Sequence, residues 1–206
     1  MLFPVSAANI SSLVISLVLL SACVGTEPAA ITKRDASLDL YSPSGKVTVY
    51  EDVKFFKTAQ KSYDSFKQSK EGYYGAFAYS YLGAFGRTTG HNSLETAREY
   101  AIKLCKEKRN IGGPKCTVIA TLSPTGFSDK GNTTLSMLGT KTLAELKHLD
   151  GHKAFATNDA GYYYSSWEFK TLKAATTDAI SKCNENAKKN TPKFQKLYPC
   201  KIIYKN

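Results

Sequence analysis

The chain has 206 residues, 42% apolar and 22% charged, with 28 Lys plus Arg against 17 Asp plus Glu and a net charge of +11. This is ordinary globular usage, which excludes a wholly disordered, collagen-like or coiled-coil protein. The length suits one large or two small domains.

Residues Met1 to Ala22 carry no charged side chain, and Ile10 to Leu20 form an apolar run long enough for the core of a signal peptide. The tetrapeptide Leu20-Ser21-Ala22-Cys23 resembles the lipobox of bacterial lipoproteins. That resemblance implies removal of residues 1–22 and attachment of lipid chains, palmitate included, to Cys23 as the new first residue. It also implies a place in the cell envelope, on the periplasmic face of the outer membrane, because Val24 gives no inner-membrane retention signal of the Asp type. The uncharged segment 1–22 as a whole would also serve plain secretion or, at about 20 residues, an uncleaved anchor. Residues 23–44 then read as the lipidated Cys and a flexible tether, rich in small residues and without sustained apolar periodicity.

Two folded units are expected beyond the tether, over 45–122 and 123–206. From Glu51 to Lys70, Val53, Phe56, Ala59, Tyr63 and Phe66 recur at helical steps and predict a helix. Tyr74–Ser80 and Gly83–Thr88 are aromatic-rich alternating runs around a glycine, which predict a hairpin. Ser93 is a good N-cap for a helix with Leu94, Ala97, Ala101 and Cys105 on one face. Gly112-Gly113-Pro114 ends that region, and Cys116–Leu122 reads as a strand. Thr142-Leu-Ala-Glu145 has the form of a capping box leading into Leu143, Leu146 and Leu149.

The pattern then returns. A shift of 78 residues places Ala76-Phe77-Ala78 on Ala154-Phe155-Ala156, Gly83 on Gly161, Phe85 on Tyr163, Ala97 on Ala175, Ala101-Ile102 on Ala179-Ile180, and Cys105 on Cys183. Thr171 takes the place of Ser93, Thr191-Pro192 stops the second helix, and Cys200–Tyr204 is the closing strand. The expected fold class is therefore α+β, with tandem duplicated strand-strand-helix-strand units. Side by side they predict one antiparallel sheet of about six strands with helices on one face.

This repeated pattern is similar to a family of small exported bacterial domains of unknown function. The match lies in Gly75-Ala76-Phe77-Ala78, Gly83-Ala84-Phe85-Gly86, Ala97, Ala101, Cys105 and Cys116, while His152-Lys153 replaces Tyr74-Gly75 in the second copy. The resemblance implies export and paired cysteines, and brings no activity.

Five cysteines are present, and lipidation of Cys23 leaves four. An even number in an exported chain implies disulfides. Of the three possible pairings, duplication favours Cys105 with Cys116 and Cys183 with Cys200, one bridge per unit.

Catalytic signatures are missing: no G-x-S-x-G, no Ser/His/Asp order and no P-loop occurs. Glu95 and Glu99 read as surface charges on a helix, Glu99 facing Lys103. His148 and His152 have metal-ligand spacing, but Gly151 between them favours a turn, so neither metal nor cofactor is expected. Residues 74–122 hold 7 basic and 3 acidic side chains and residues 152–206 hold 10 and 4, so the positive charge sits in the units. In an envelope its partners would be polyanions or proteins, and export argues against nucleic acid. Phe77/Phe155 and Phe85/Tyr163 are aromatic in both copies and read as core. Tyr79, Tyr81, Tyr162, Tyr164 and Trp167 have no aromatic counterpart, and are the candidate binding surface beside the alternative of a cross-strand ladder. The expected function is a lipid-anchored envelope binding or structural protein without catalysis. The alternative is an inhibitor or immunity-type protein that blocks an envelope enzyme.

Overall fold

A computed structural model of the chain describes residues 38–41, 44–69, 72–128, 133–192 and 196–206, all within one compact body, Asp35–Asn206. The expected signal peptide, Cys23 and most of the tether lie outside the described residues. Among those described are four helices, two antiparallel sheets and one short parallel pair, an α+β fold.

The end of the expected tether is structured. β1 (Leu38–Asp39) pairs in parallel with β6 (Thr133–Thr134), and Leu38 packs beside Leu135. β2 (Gly45–Val49) then forms a strand that opens the first unit. The following residues, up to Phe56, are extended rather than helical. Val53 and Phe55 turn into the core while Lys54 and Phe56 stay exposed, a period of two and not of 3.6. α1 (Lys57–Gln68) begins only there and buries Ala59, Tyr63 and Phe66.

β3 (Gly75–Tyr79) and β4 (Phe85–Thr88) form the hairpin, α2 (Leu94–Lys108) follows, and β5 (Thr117–Pro124) closes the unit in a sheet of order β2-β5-β3-β4. Ser93 caps α2 by accepting the Thr96 amide at 3.1 Å. Strand alternation sends Phe77 and Phe85 to one face, where their rings stack 5.7 Å apart. α1 covers that face, with Tyr63 and Phe66 5.2 and 5.9 Å from the Phe77 ring. α2 covers the other face so closely that a Cβ on Gly86 would lie 2.0 Å from the Ala101 carbonyl oxygen.

In the second unit α3 (Met137–Lys147) precedes β7 (His152–Thr157), β8 (Tyr163–Phe169), α4 (Leu172–Asn190) and β9 (Lys201–Lys205), whose sheet has the order β8-β7-β9. α3 starts at Ser136, whose Oγ accepts the Gly139 amide at 3.2 Å, so Thr142 of the expected capping box lies inside the helix. The start is fixed from outside the helix, because Asn92 Oδ1 accepts the Ser136 amide at 2.7 Å. Leu143 and Leu146 pack with Phe155 under one face of the sheet. Ala175, Ala179 and Cys183 of α4 pack on Ala154 and Ala156 of the other.

Two differences from the expected architecture follow. Strands divide into a four-stranded and a three-stranded sheet rather than one of six, because β2 takes the outer edge of β5. Helices lie on both faces, since each unit carries a leading helix opposite its Ala-rich one.

The units agree in detail at equivalent positions. Phe155 and Tyr163 stack at 5.4 Å, as Phe77 and Phe85 do. Both β3 and β7 shift register between the Phe and the following Ala. Gly83 and Gly161 turn with φ of +94° and +92°. Ser80 Oγ donates to Pro114 O at 2.8 Å, and Asn158 Nδ2 to Tyr198 O at 2.9 Å. Disulfides join Cys105 to Cys116 and Cys183 to Cys200, tying helix to closing strand in each unit. By loop closure each contributes about 3 kcal/mol.

Candidate functional site

The loop between β4 and α2 organises the contact between the two units. Gly90 has φ +82°, and its amide donates to Gly72 O at 2.7 Å. His91 and Tyr74 exchange backbone hydrogen bonds of 3.1 Å, which hold the loop to the strand side of the first unit. Asn92 comes next and is buried. Its Nδ2 donates to Thr157 Oγ1 at 2.6 Å and to Asn158 O at 2.7 Å. Its amide donates to Asp159 O at 3.2 Å, and its carbonyl accepts from the Thr134 hydroxyl. With the Ser136 contact, one asparagine binds β6, α3 and the β7–β8 turn to the first unit. Such a network is costly to break, because removing its centre leaves several buried groups unpaired. The turn fits because Gly161 lacks a Cβ, which would stand 2.2 Å from Gly90 O.

A cleft of about 360 Å³ opens along this seam, lined by Thr88, His91, Tyr100, Gly161, Tyr162 and Asn190 among others. His91 is only 4% exposed. Its Nε2 pairs with the Thr88 hydroxyl, and its ring lies 4.7 Å from that of Tyr100. Burial pushes the imidazole down to about 4, against a smaller upward pull from the Ala160 backbone. It is therefore neutral at pH 7 and acts as a hydrogen-bonding, ring-stacking wall. The far side of the seam is closed by Tyr100, whose hydroxyl donates to Lys196 O at 3.3 Å, and by Tyr198, whose hydroxyl donates to Glu99 Oε2 at 2.6 Å. Burial and Glu99 raise the Tyr198 phenol well above its usual range.

The candidate aromatics do not form one surface. Tyr79 is 1% exposed and its ring lies 4.9 Å from Phe55, so it belongs to the first core and is withdrawn as a surface residue. It has no aromatic counterpart because Phe55, which it packs against, comes from a leading segment the second unit does not share. Tyr162 lines the seam cleft. Tyr164 is half-buried against the α4 cluster, with Lys182 Nζ 5.2 Å from its ring centre. It stands where the first unit has Gly86, so part of its role is to fill the gap between strand and helix. Its phenol is the largest influence raising the Lys182 ammonium, ahead of Asp178. Tyr81 and Trp167 are exposed, at 54% and 43%. The Tyr81 hydroxyl donates to Glu51, which raises its own pKa.

Among the described residues no group of three or more His, Cys, Asp or Glu is placed to hold a metal ion. His148 and His152 lie exposed on either side of the turn at Gly151, which has φ +72°. Among the described residues, too, no helix is long and apolar enough to cross a membrane. Lys153, buried where the first unit has Gly75, donates from Nζ to the carbonyls of Lys147, at 3.0 Å, and Leu149 at the end of α3. A cation there suits the negative end of the helix.

Sequence reasoning missed His91 and Asn92. Neither has a counterpart in kind, since Phe169 and Lys170 hold the equivalent positions. The available signal was a departure from the 78-residue correspondence, which sets His91 against Phe169 and Asn92 against Lys170. Compared with protein-family models, curated proteins and solved structures, the chain matches none.

Proposed function

We propose that this chain is an exported binding protein of a bacterial envelope, anchored by lipid on Cys23 and without catalytic activity of its own. The observation that carries the reading is the pair of disulfides, each closing the same helix-to-strand path. Such bridges persist in oxidising compartments outside the cytoplasm, and they follow a lipobox-like tetrapeptide in the sequence. Position-for-position agreement between the units supports an origin by duplication. A duplicated framework keeps its core in both copies and specialises at its surface, here at Tyr81 and Trp167. The partner is an envelope polyanion or protein, reached from a membrane anchor.

Two measurements test this. Mass spectrometry of the mature chain should find its N-terminus at an acylated Cys23, and an unmodified N-terminus elsewhere overturns the anchor. Crosslinking in intact envelopes should lose its main product when Tyr81→Ala and Trp167→Ala are combined, with the melting temperature unchanged. Full retention of the product removes these rings from the binding surface. The inhibitor reading draws on one further feature, the exposed Tyr81-Leu82 turn, which could enter an enzyme cleft.

A further inference from the structure

The contact between the two units is heterologous. The second unit offers its hairpin turn, Asn158–Gly161, and the 196–198 segment. The first unit offers the Gly90–Asn92 loop and α2. Each unit has both kinds of surface, so one of each is left over. At one end the turn equivalent to 158–161 carries Tyr81 and Leu82, 54% and 65% exposed. Ser80 binds that turn to the loop holding Pro114, as Asn158 binds its own turn to Tyr198, so fully exposed Ile111 lies on the same end. Phe56, also exposed, lies over Gly83. At the other end the loop equivalent to 89–92 is Trp167-Glu168-Phe169-Lys170. Glu168 there holds a φ of +61° where Gly90 holds +82°.

We propose that copies of this chain associate head to tail, the Tyr81–Leu82 turn of one seating on the Trp167–Lys170 loop of the next. The contact continues, between molecules, the geometry already present between the units. Clustered exposed apolar side chains on a small protein mark an interaction surface, and the turn end holds four. Charge favours the pairing as well: exposed Glu51 and Asp52 flank the turn, while exposed Lys170 and Lys173 flank the receiving loop, with Glu168 the like charge between them. Lys170 replaces Asn92, so the intermolecular contact lacks the asparagine network and is weaker than the internal one. A heterologous contact grows into a ring or an open filament rather than closing as a two-fold dimer.

The full chain, purified in detergent, tests this by sedimentation velocity. Its mean mass should rise severalfold over roughly a hundredfold increase in concentration. Leu82→Asp and Lys170→Glu, both at exposed positions, should each sediment as a monomer with an unchanged melting temperature. Mixed together they should form dimers and stop there, because only one competent head meets one competent tail. A chain monomeric at every concentration overturns the proposal, as does an assembly that Leu82→Asp leaves intact. A turn that captures an envelope enzyme while the chain stays monomeric also overturns it, in favour of the inhibitor reading. The Tyr81 and Trp167 ends are shared with the envelope-binding reading, and sedimentation of the purified chain separates the two because no envelope partner is present in it.

Discussion

At position 86 the first unit has glycine, and at the equivalent position 164 the second has tyrosine. This one pair shows how the two units differ. In the first, α2 presses directly onto β4, and aromatic rings from the leading segment and α1 fill the opposite face. In the second, Tyr164 takes up space beneath α4, and the opposite face is filled by leucines of α3 and its lead-in. Stacked rings, Ala-rich helix, capped start and disulfide are common to both. The shared framework therefore fixes the strand-helix-strand path, while the cover on the far face and the helix spacing are free to vary.

The largest effect expected from that difference is at Gly86. Replacing it with Ala places a Cβ 2.0 Å from Ala101 O and 2.6 Å from the Cys105 amide. α2 must then move while its end is held by the Cys105–Cys116 bridge. The loss should be about 3 kcal/mol, at the upper end for overpacking. Tyr164→Ala, which only empties half-buried space, should cost about 1 to 2 kcal/mol. Denaturant unfolding of both variants measures this, and equal losses would mean that the two helices pack alike.

Second in size is the acid response of the seam. His91 has a folded pKa near 4 against 6.5 for the free side chain. Between those values the unfolded chain holds the extra proton, so stability falls as pH drops from about 6.5 to about 4 and this contribution levels off below. The full loss approaches about 3 kcal/mol, at 1.36 kcal/mol for each unit of pKa. Unfolding free energies against pH should run steeper in the wild type than in His91→Gln, whose carboxylates titrate in the same way. Parallel curves would assign the acid sensitivity elsewhere. Phe169, which does not titrate, stands at the equivalent position.

What the sequence made legible were the features the two units share. Ala97, Ala101 and Cys105, with their counterparts, mark the helices. Ser93 and Thr171 mark their starts, and the 78-residue correspondence, which sets Cys105 on Cys183, pointed to the bridges. What escaped was specific to one unit or to the contact between them. β2 has only Val47 and Val49 on a half-exposed edge, too short a pattern to separate from a tether. Val53 and Phe55 alternate as a strand would, yet Val53 also falls into register with the residues of α1. Thr142 and Glu145 imitate a helix start because α3 begins under the control of Asn92, far away in sequence. Two sheets rather than one depend on which strand takes the edge of β5, a non-local choice with no local trace. His91 and Tyr79 were opaque for a related reason: each gets its role from a partner with no equivalent in the other unit.

The smallest predicted effect separates the shared framework from its surroundings. Ser93 and Thr171 make the same cap, accepting the amide three residues on at 3.1 and 3.2 Å. A cap of this kind contributes about 1 kcal/mol by satisfying a helix amide that otherwise lacks a partner. Thr171 is exposed, and water can replace its oxygen once it is removed. Ser93 is half-buried beside Asn92 and also donates to the hydroxyl of buried Thr96 at 2.8 Å. Removing it leaves two groups unpaired rather than one, in a place water reaches less easily. Ser93→Ala should therefore cost about 1.5 kcal/mol and Thr171→Ala about 0.5 kcal/mol, read from denaturant midpoints with m-values unchanged. A reversed order would mean that burial at the seam does not reach the start of α2.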